Sequence, residues 1–162
     1  MDDAVYRKTM ARAIRLLAAK QRSKAELTER LSEKADSDAV EKVIRRLEEI
    51  GYLNDERFAA SFASGRIASR PLGPRRVRSD LQRRKVTKEV ANRAIDEAYQ
   101  ETSEETLIDR AIAKRVRMRG KPRSRDEAHK LFAHLVRQGF GFDLIMRKIR
   151  AISSATDITE ES

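Results

Sequence analysis

A repeat of roughly 50 residues constrains this chain more than any other feature of its sequence. Leu27 and Leu31 stand four positions apart, as do Val77 and Leu81, and again Leu131 and Leu135. In each case a further apolar residue (Val40, Val90 or Leu144) follows nine positions after the second member. Residues four apart share one face of an α-helix, and each interval has room for three helices. Units this small cannot close a core alone, so neighbours must stack. The expected fold is all-α: an elongated array of three tandem three-helix repeats, each resembling a helix-turn-helix. The repeats are expected at 1–53, 54–101 and 102–153, with an acidic flexible tail at 154–162. A single compact bundle whose segments resemble one another by accident has the same helical spacing and stays open here.

Local signals divide the chain into helices. Ala13, Leu16 and Leu17 form the first apolar stripe, and Ser23 with Glu26 reads as a capping box. Ser37 is predicted to cap a helix carrying Val40, Val43, Ile44 and Leu47, which ends at Gly51 as a left-handed cap. Tyr52 and Leu53 are then expected to pack back on its last turn. Asn54 or Asp55 caps the next helix, with Phe58, Phe62, Ala63 and Ile67 inside. Pro71, Gly73 and Pro74 break the chain, and Pro74 suits a first helical turn. Thr87 caps a helix bearing Val90, Ala91, Ala94, Ile95 and Ala98. Thr102–Glu105 and Ser124–Glu127 read as further capping boxes. The first opens a helix with Leu107, Ile108, Ala111, Ile112 and Val116. Gly120 and Pro122 interrupt, Gly139 stops the helix of Leu131 and Leu135, and Ile145, Ile149 and Ile152 mark the last.

Composition narrows the function. Charged residues make up 38% of the 162 and aromatics 5%, which suits small helical units with large solvated faces. Lys and Arg number 36 against 26 Asp and Glu, a formal charge of +10, which favours polyanionic partners. No apolar run approaches the length of a membrane span, and the first twenty residues lack the pattern of a secretory signal. Cysteine is absent, which removes thiolate chemistry. A cytoplasmic protein without membrane partners is expected. His129 and His134, five apart on a helix, diverge by about 140° and cannot grip one ion. Asp55-Glu56 and Glu104-Glu105 fall in first helical turns, where the macrodipole favours them. Gly139-Phe140-Gly141-Phe142 joins two helices and is no dinucleotide loop, and no P-loop or nucleophile elbow occurs. Neither an enzyme nor a cofactor is expected.

Two basic segments carry the functional expectation. Arg66, Arg70, Arg75, Arg76, Arg78, Arg83, Arg84 and Lys85 are opposed by one acid, Asp80. Arg110, Lys114, Arg115, Arg117, Arg119, Lys121, Arg123 and Arg125 form a run without acids between Arg110 and Arg125. Arg110, Lys114 and Arg117 share a helical stripe opposite Ile108 and Ile112. Segments of one sign repel each other and weaken a fold unless something anionic offsets them. The candidate binding residues are therefore those of the first segment with Arg110, Lys114, Arg117, Arg119, Lys121 and Arg123. Arg outnumbers Lys among them, which suits bidentate contact with phosphate or carboxylate, and the scarcity of aromatics points to backbone recognition over base stacking. A stand-alone helix-turn-helix DNA-binding regulator, reading bases from Asn92 and Arg93, is the principal alternative, and an RNA-associated basic protein is another.

The stretch Leu47-Glu-Glu-Ile-Gly51-Tyr52-Leu53-Asn54-Asp55-Glu56-Arg57-Phe58-Ala59 resembles the signature of RecX proteins. Arg66…Gly73…Arg75-Arg76-Val77…Leu81 fits the same family, as do Leu16–Leu27 and Arg137–Asp143. The resemblance covers about residues 10 to 152. One departure is visible: Arg84-Lys85-Val86 stands where the family commonly has Lys-Gly-Ile, which bears on the cap there. The resemblance implies a three-repeat helical regulator that lies in the groove of RecA–DNA filaments. It would restrain RecA's ATPase and strand exchange, with RecA and single- or double-stranded DNA as partners, and would be monomeric when free.

Overall fold

The computed structural model describes residues 2–160, and of residues 154–160 the backbone only. Among these residues the chain forms helices α1 (Asp3–Ala19), α2 (Lys24–Ser32), α3 (Ser37–Glu49), α4 (Asp55–Ser69) and α5 (Pro74–Arg83). It continues with α6 (Lys88–Glu101), α7 (Glu104–Arg119), α8 (Arg125–Arg137) and α9 (Phe142–Glu160), without a strand. Helical backbone reaches Glu160. The side chains of the expected tail, with Glu161 and Ser162, lie outside the described residues.

Helices α1 to α4 and α6 to α8 satisfy orphan amides at their starts with a short polar side chain. Ser23 and Glu26 form the reciprocal capping box at α2. At α3 the cap is Asp36, not Ser37: the Asp36 carboxylate accepts from the Ala39 amide at 2.9 Å, and Ser37 is the first helical residue. Asn54 caps α4 through the Arg57 amide at 3.1 Å, which frees Asp55 to accept from the Lys24 amide at 2.8 Å. The box expected at Thr102–Glu105 is a single cap, because Ser103 accepts from Thr106 and so leaves no acid at the reciprocating position. At α8 Ser124 caps, while Glu127 reaches one residue further back, to the Arg123 amide at 2.7 Å.

Helix α3 ends as its glycine dictates. Gly51 takes φ +76°, and the Tyr52 amide reaches the Leu47 carbonyl at 2.9 Å, the six-to-one bond of a Schellman cap. Leu53 then packs into the core, whereas Tyr52 stays 60% exposed. Helix α5 ends differently: Lys85 takes φ +62°, the one positive φ outside glycine among the described residues. The left-handed cap survives where the family's glycine is missing.

The chain folds into two compact units: Met1–Phe62 with Asp80–Ala94, and Ala63–Ser79 with Ile95–Ser162. Helices α4, α5 and α6 each contribute residues to both. In the first unit Ala13, Leu27, Leu31, Val40, Val43, Ile44, Leu47 and Leu53 form a core, ringed by Tyr6, Met10, Leu16 and Leu17. In the second, Leu107, Ile108, Ala111, Ile112, Leu131, Leu135, Phe140, Ile145 and Ile149 do so, with Ile67 and Tyr99 against them. Leu27, Leu31, Val77, Leu81 and Leu135 are fully buried, and Leu131 nearly so. The third marker is buried in Val40 but half-buried in Val90 and Leu144.

Within the second unit the α4–α5 loop meets the α8–α9 loop backbone to backbone. The Gly73 amide donates to the Gln138 carbonyl at 2.8 Å, and the Arg75 amide to Gly139 at 3.1 Å. A Cβ on Gly73 would lie 2.3 Å from the Gly139 carbonyl carbon, so only glycine permits the approach. The Tyr99 hydroxyl donates to the Leu72 carbonyl at 2.7 Å and ties α6 to the same loop. Burial pushes the Tyr99 phenol up, and nearby Glu104 adds to the effect.

Candidate nucleic-acid and filament interface

The two basic segments meet different surroundings in the two units. In the first unit the cations at the end of α5 have partners. Arg83 pairs with Asp80 at 3.3 Å, and Lys85 pairs with Glu29. Arg84, expected on the binding face, is instead committed to the interior. Its Nε donates to both Glu26 oxygens at 3.2 and 3.1 Å and its Nη2 to the Gln21 carbonyl at 2.8 Å. Its guanidinium lies over the rings of Phe58 and Phe62, 4.9 and 5.6 Å from their centroids. Ser23 closes the arrangement by donating to the Arg84 carbonyl at 2.6 Å. Desolvation pushes the Glu26 carboxyl up, but hydrogen bonds from Arg84 and the Ser23 amide outweigh it and hold the carboxyl below its usual range. Arg93, the base-reading candidate of the alternative, pairs with Glu56, and Asn92 is half-buried with a partner of its own.

The second unit holds most of the remaining candidates. Arg66, Arg76 and Arg78 are half-buried and partnered, and the Arg76 Nη1 donates to the Arg137 carbonyl at 3.3 Å. Arg75 is exposed and lies 5.1 Å over the ring of Phe142, which stacks in turn on Phe132. Arg70, Arg110, Lys114, Arg117, Arg119, Lys121 and Arg123 are exposed, and no carboxylate among the described residues pairs with any of their side chains. The burial of α7 explains why. Leu107, Ile108, Ala111 and Ile112 turn one face of the helix to the core, which drives Arg110, Lys114 and Arg117 outward. Two acids of the same helix, Glu105 and Asp109, are held by Arg147 and Lys148 of α9.

A cleft of about 230 Å³ lies among the α4–α5 loop, α7 and α8 of this unit. Arg70 and Pro71 come from the loop, Ala111, Lys114, Arg115 and Met118 from α7, and His134 and Gln138 from α8. Thus Arg70 of the first basic segment and Lys114 of the second, 44 positions apart in sequence, border one space. Burial holds the His134 imidazole below its usual range, and Arg115, Arg137, Arg119 and Arg70 reinforce this. Desolvation and the neighbours Arg119 and Arg137 likewise lower the Arg115 guanidinium. Neither Arg115 nor His134 stands among the candidates read from the sequence. Both lie at the edge of the apolar stripe, half-buried, where spacing alone does not separate a packing residue from a site residue.

Among the described residues no helix is long and apolar enough to cross a membrane. Comparison with known proteins gives the arrangement a family. The family model for the first three-helix domain of RecX matches residues 10–47, and that for the second matches 54–95. Regulatory protein RecX of Halorhodospira halophila is 33% identical over 151 residues, which span 92% of this chain and 88% of that protein. Its counterpart in Prosthecochloris aestuarii is 30% identical over 150 residues, 92% of this chain and 96% of that one. The chain spans 59% of the length of the Listeria monocytogenes relative, to which it is 25% identical. The crystal structure of RecX from Lactobacillus salivarius superposes with a TM-score of 0.82 at 19% identity, covering 93% of this chain and 97% of that one, so the two share a fold. With three relatives of 30% identity or more aligned over nine-tenths of its length, this all-helical chain belongs to the RecX family of regulatory proteins.

Proposed function

We propose that this protein is a non-catalytic regulator of RecA that binds RecA–DNA filaments in their helical groove. There it mainly inhibits recombinase, ATPase and related activities in recombination and DNA repair. The observation that carries the reading, beside family membership, is the row of exposed cations on α7 and the segment after it, which has no carboxylate partners among the described residues. Cations without partners in the free protein are available to phosphates or to acidic protein surfaces, and guanidinium suits both. Repeats that bridge successive RecA subunits would shift the filament only through unequal affinity for its two states. A stand-alone duplex-reading regulator is the weaker reading, since Arg93, one of its two base readers, is paired with Glu56.

Co-sedimentation with RecA filaments assembled on single-stranded DNA, with and without nucleotide, tests the proposal. The wild-type protein is expected in the pellet. The variant Arg110→Glu/Arg117→Glu/Arg123→Glu, altered only on exposed side chains, is expected to keep its helical circular dichroism while binding at least about tenfold more weakly. Each lost phosphate contact flattens the log–log salt dependence by about 0.7 to 0.9. Wild-type protein left in the supernatant at physiological salt while it selects one duplex sequence would overturn the reading.

A further inference from the structure

The cleft between α7 and α8 offers more than a share of a basic surface. Among its described lining residues there is no acid, although Arg70, Lys114, Arg115 and His134 all border it. None of these four has an ion-pair partner among the described residues. Two of its walls are held in place. Gly73 and Gly139 lock the α4–α5 loop against the end of α8 through the Gln138 carbonyl, which seats Arg70 and Pro71 beside His134 and Gln138. Arg115 stands one turn beyond the buried Ala111 of α7, with Lys114 beside it, so the core anchors the stretch of helix that carries both. Met118, 73% exposed, and Pro71 supply an apolar rim. Several donors on a pre-set frame, with a small apolar shelf beside them, match a phosphate group joined to a sugar.

We propose that this cleft is a phosphate-binding site, and that a phosphate seated there draws a proton onto His134. The inference rests on the filament-and-DNA reading above in taking a nucleic-acid phosphodiester as its natural occupant; free phosphate shares the chemistry. The charges facing His134 are those of Arg70 from the loop, Arg115 and Arg119 from α7, and Arg137 from its own helix. Lys114 borders the same space. Helix α9 also packs on α8, but its Arg147 and Lys148 are turned to Glu105 and Asp109, and its Asp143 and Arg150 are exposed. In the free protein burial, reinforced by this all-cationic setting, keeps the imidazole neutral to a lower pH than usual. A bound anion offsets the repulsion and accepts from the imidazolium, so the bound state holds its proton to a higher pH. Binding therefore takes up a proton, and affinity rises as pH falls through the interval between the free and bound values.

The test is a pH titration of both imidazoles by heteronuclear NMR, on the full chain, with and without a short oligothymidylate or sulfate. Neither probe titrates between pH 6 and 8. His129, exposed on the same helix, serves as the internal reference. The His134 pKa is expected to rise on adding either probe while that of His129 moves less. Oligothymidylate affinity is expected to be several-fold higher at pH 6 than at pH 8, because a tenfold gain in proton affinity strengthens binding by at most about tenfold. His134→Gln is expected to keep the pH 8 affinity and lose the rise, and Arg115→Gln to weaken binding at both pH values. A response to sulfate but not to oligothymidylate would assign the cleft to free phosphate and overturn the phosphodiester. A His134 pKa unmoved by both probes would overturn the site itself. RecA co-sedimentation separates this from the parent reading: a responsive cleft in a protein that ignores filaments sinks only the latter, and filament binding with an inert cleft sinks only the former.

Discussion

Lys85 shows how one residue can keep a conformation that its side chain disfavours. A left-handed backbone costs a non-glycine residue about 1–2 kcal/mol, yet the Lys85 amide still closes the end of α5 on the Gln82 carbonyl at 3.0 Å. Its exposed ion pair with Glu29, about 0–1 kcal/mol at most, offsets only part of that cost. Lys85→Gly is therefore expected to raise stability by about 1 kcal/mol, read as a higher denaturation midpoint in urea. Its neighbour Arg84 carries the same charge with the opposite fate, half-buried between Glu26 and two phenylalanine rings. Sequence could list both as cations. It could not separate them, because Glu26 and Glu29 reach them from 56 to 58 positions away.

At the scale of elements, the helices follow from short-range rules, and the docking of their loops does not. Capping residues lie within three positions of the amides they satisfy, so Ser23 and Ser124 are legible from the sequence alone, while the cap expected at Thr102 falls one position on, at Ser103. The error at Ser37 is of the same short range, since Asp36 beside it is an equally good acceptor and lies one position nearer the chain's extended entry. The contact of Gly73 with Gly139 spans 66 positions and leaves no local mark beyond two glycines in two loops. Its consequence is testable with a pair of variants. Gly73→Ala would drive a Cβ into backbone that cannot rotate away, at a cost of about 3 kcal/mol. Gly65→Ala, in open space within α4, should instead stabilise by up to about 1 kcal/mol. Equilibrium urea unfolding compares the two; equal effects would mean that the loop contact contributes nothing.

Over the whole molecule, the charge of +10 is unevenly answered. The first unit pairs Arg12, Lys24, Arg30, Arg45, Arg46 and Arg93 with carboxylates. The basic run of α7 in the second unit has none among the described residues, which leaves net repulsion in the free protein. Exposed pairs of this kind contribute little to stability and are weakened by salt. Screening of the unanswered charges works the other way and should dominate. Raising salt from about 10 to about 150 mM, which shortens the screening length from ~30 to ~8 Å, is expected to raise the melting temperature by several degrees. A fall in the calorimetric midpoint would mean that the pairs of the first unit outweigh the repulsion.

The sequence alone determined that the chain is helical, where most helices begin, which residues face inward and that positive charge is in excess. All of these depend on residues a few positions apart. Tertiary structure decided which cations remain available: it buried Arg84 against Glu26, turned Glu105 and Asp109 toward α9, and left Lys114 and Arg115 beside Arg70 and His134. The physical reason is range. Capping and helical periodicity act within a turn or two of the chain, whereas an ion pair or a cleft depends on distances that only the packed fold creates.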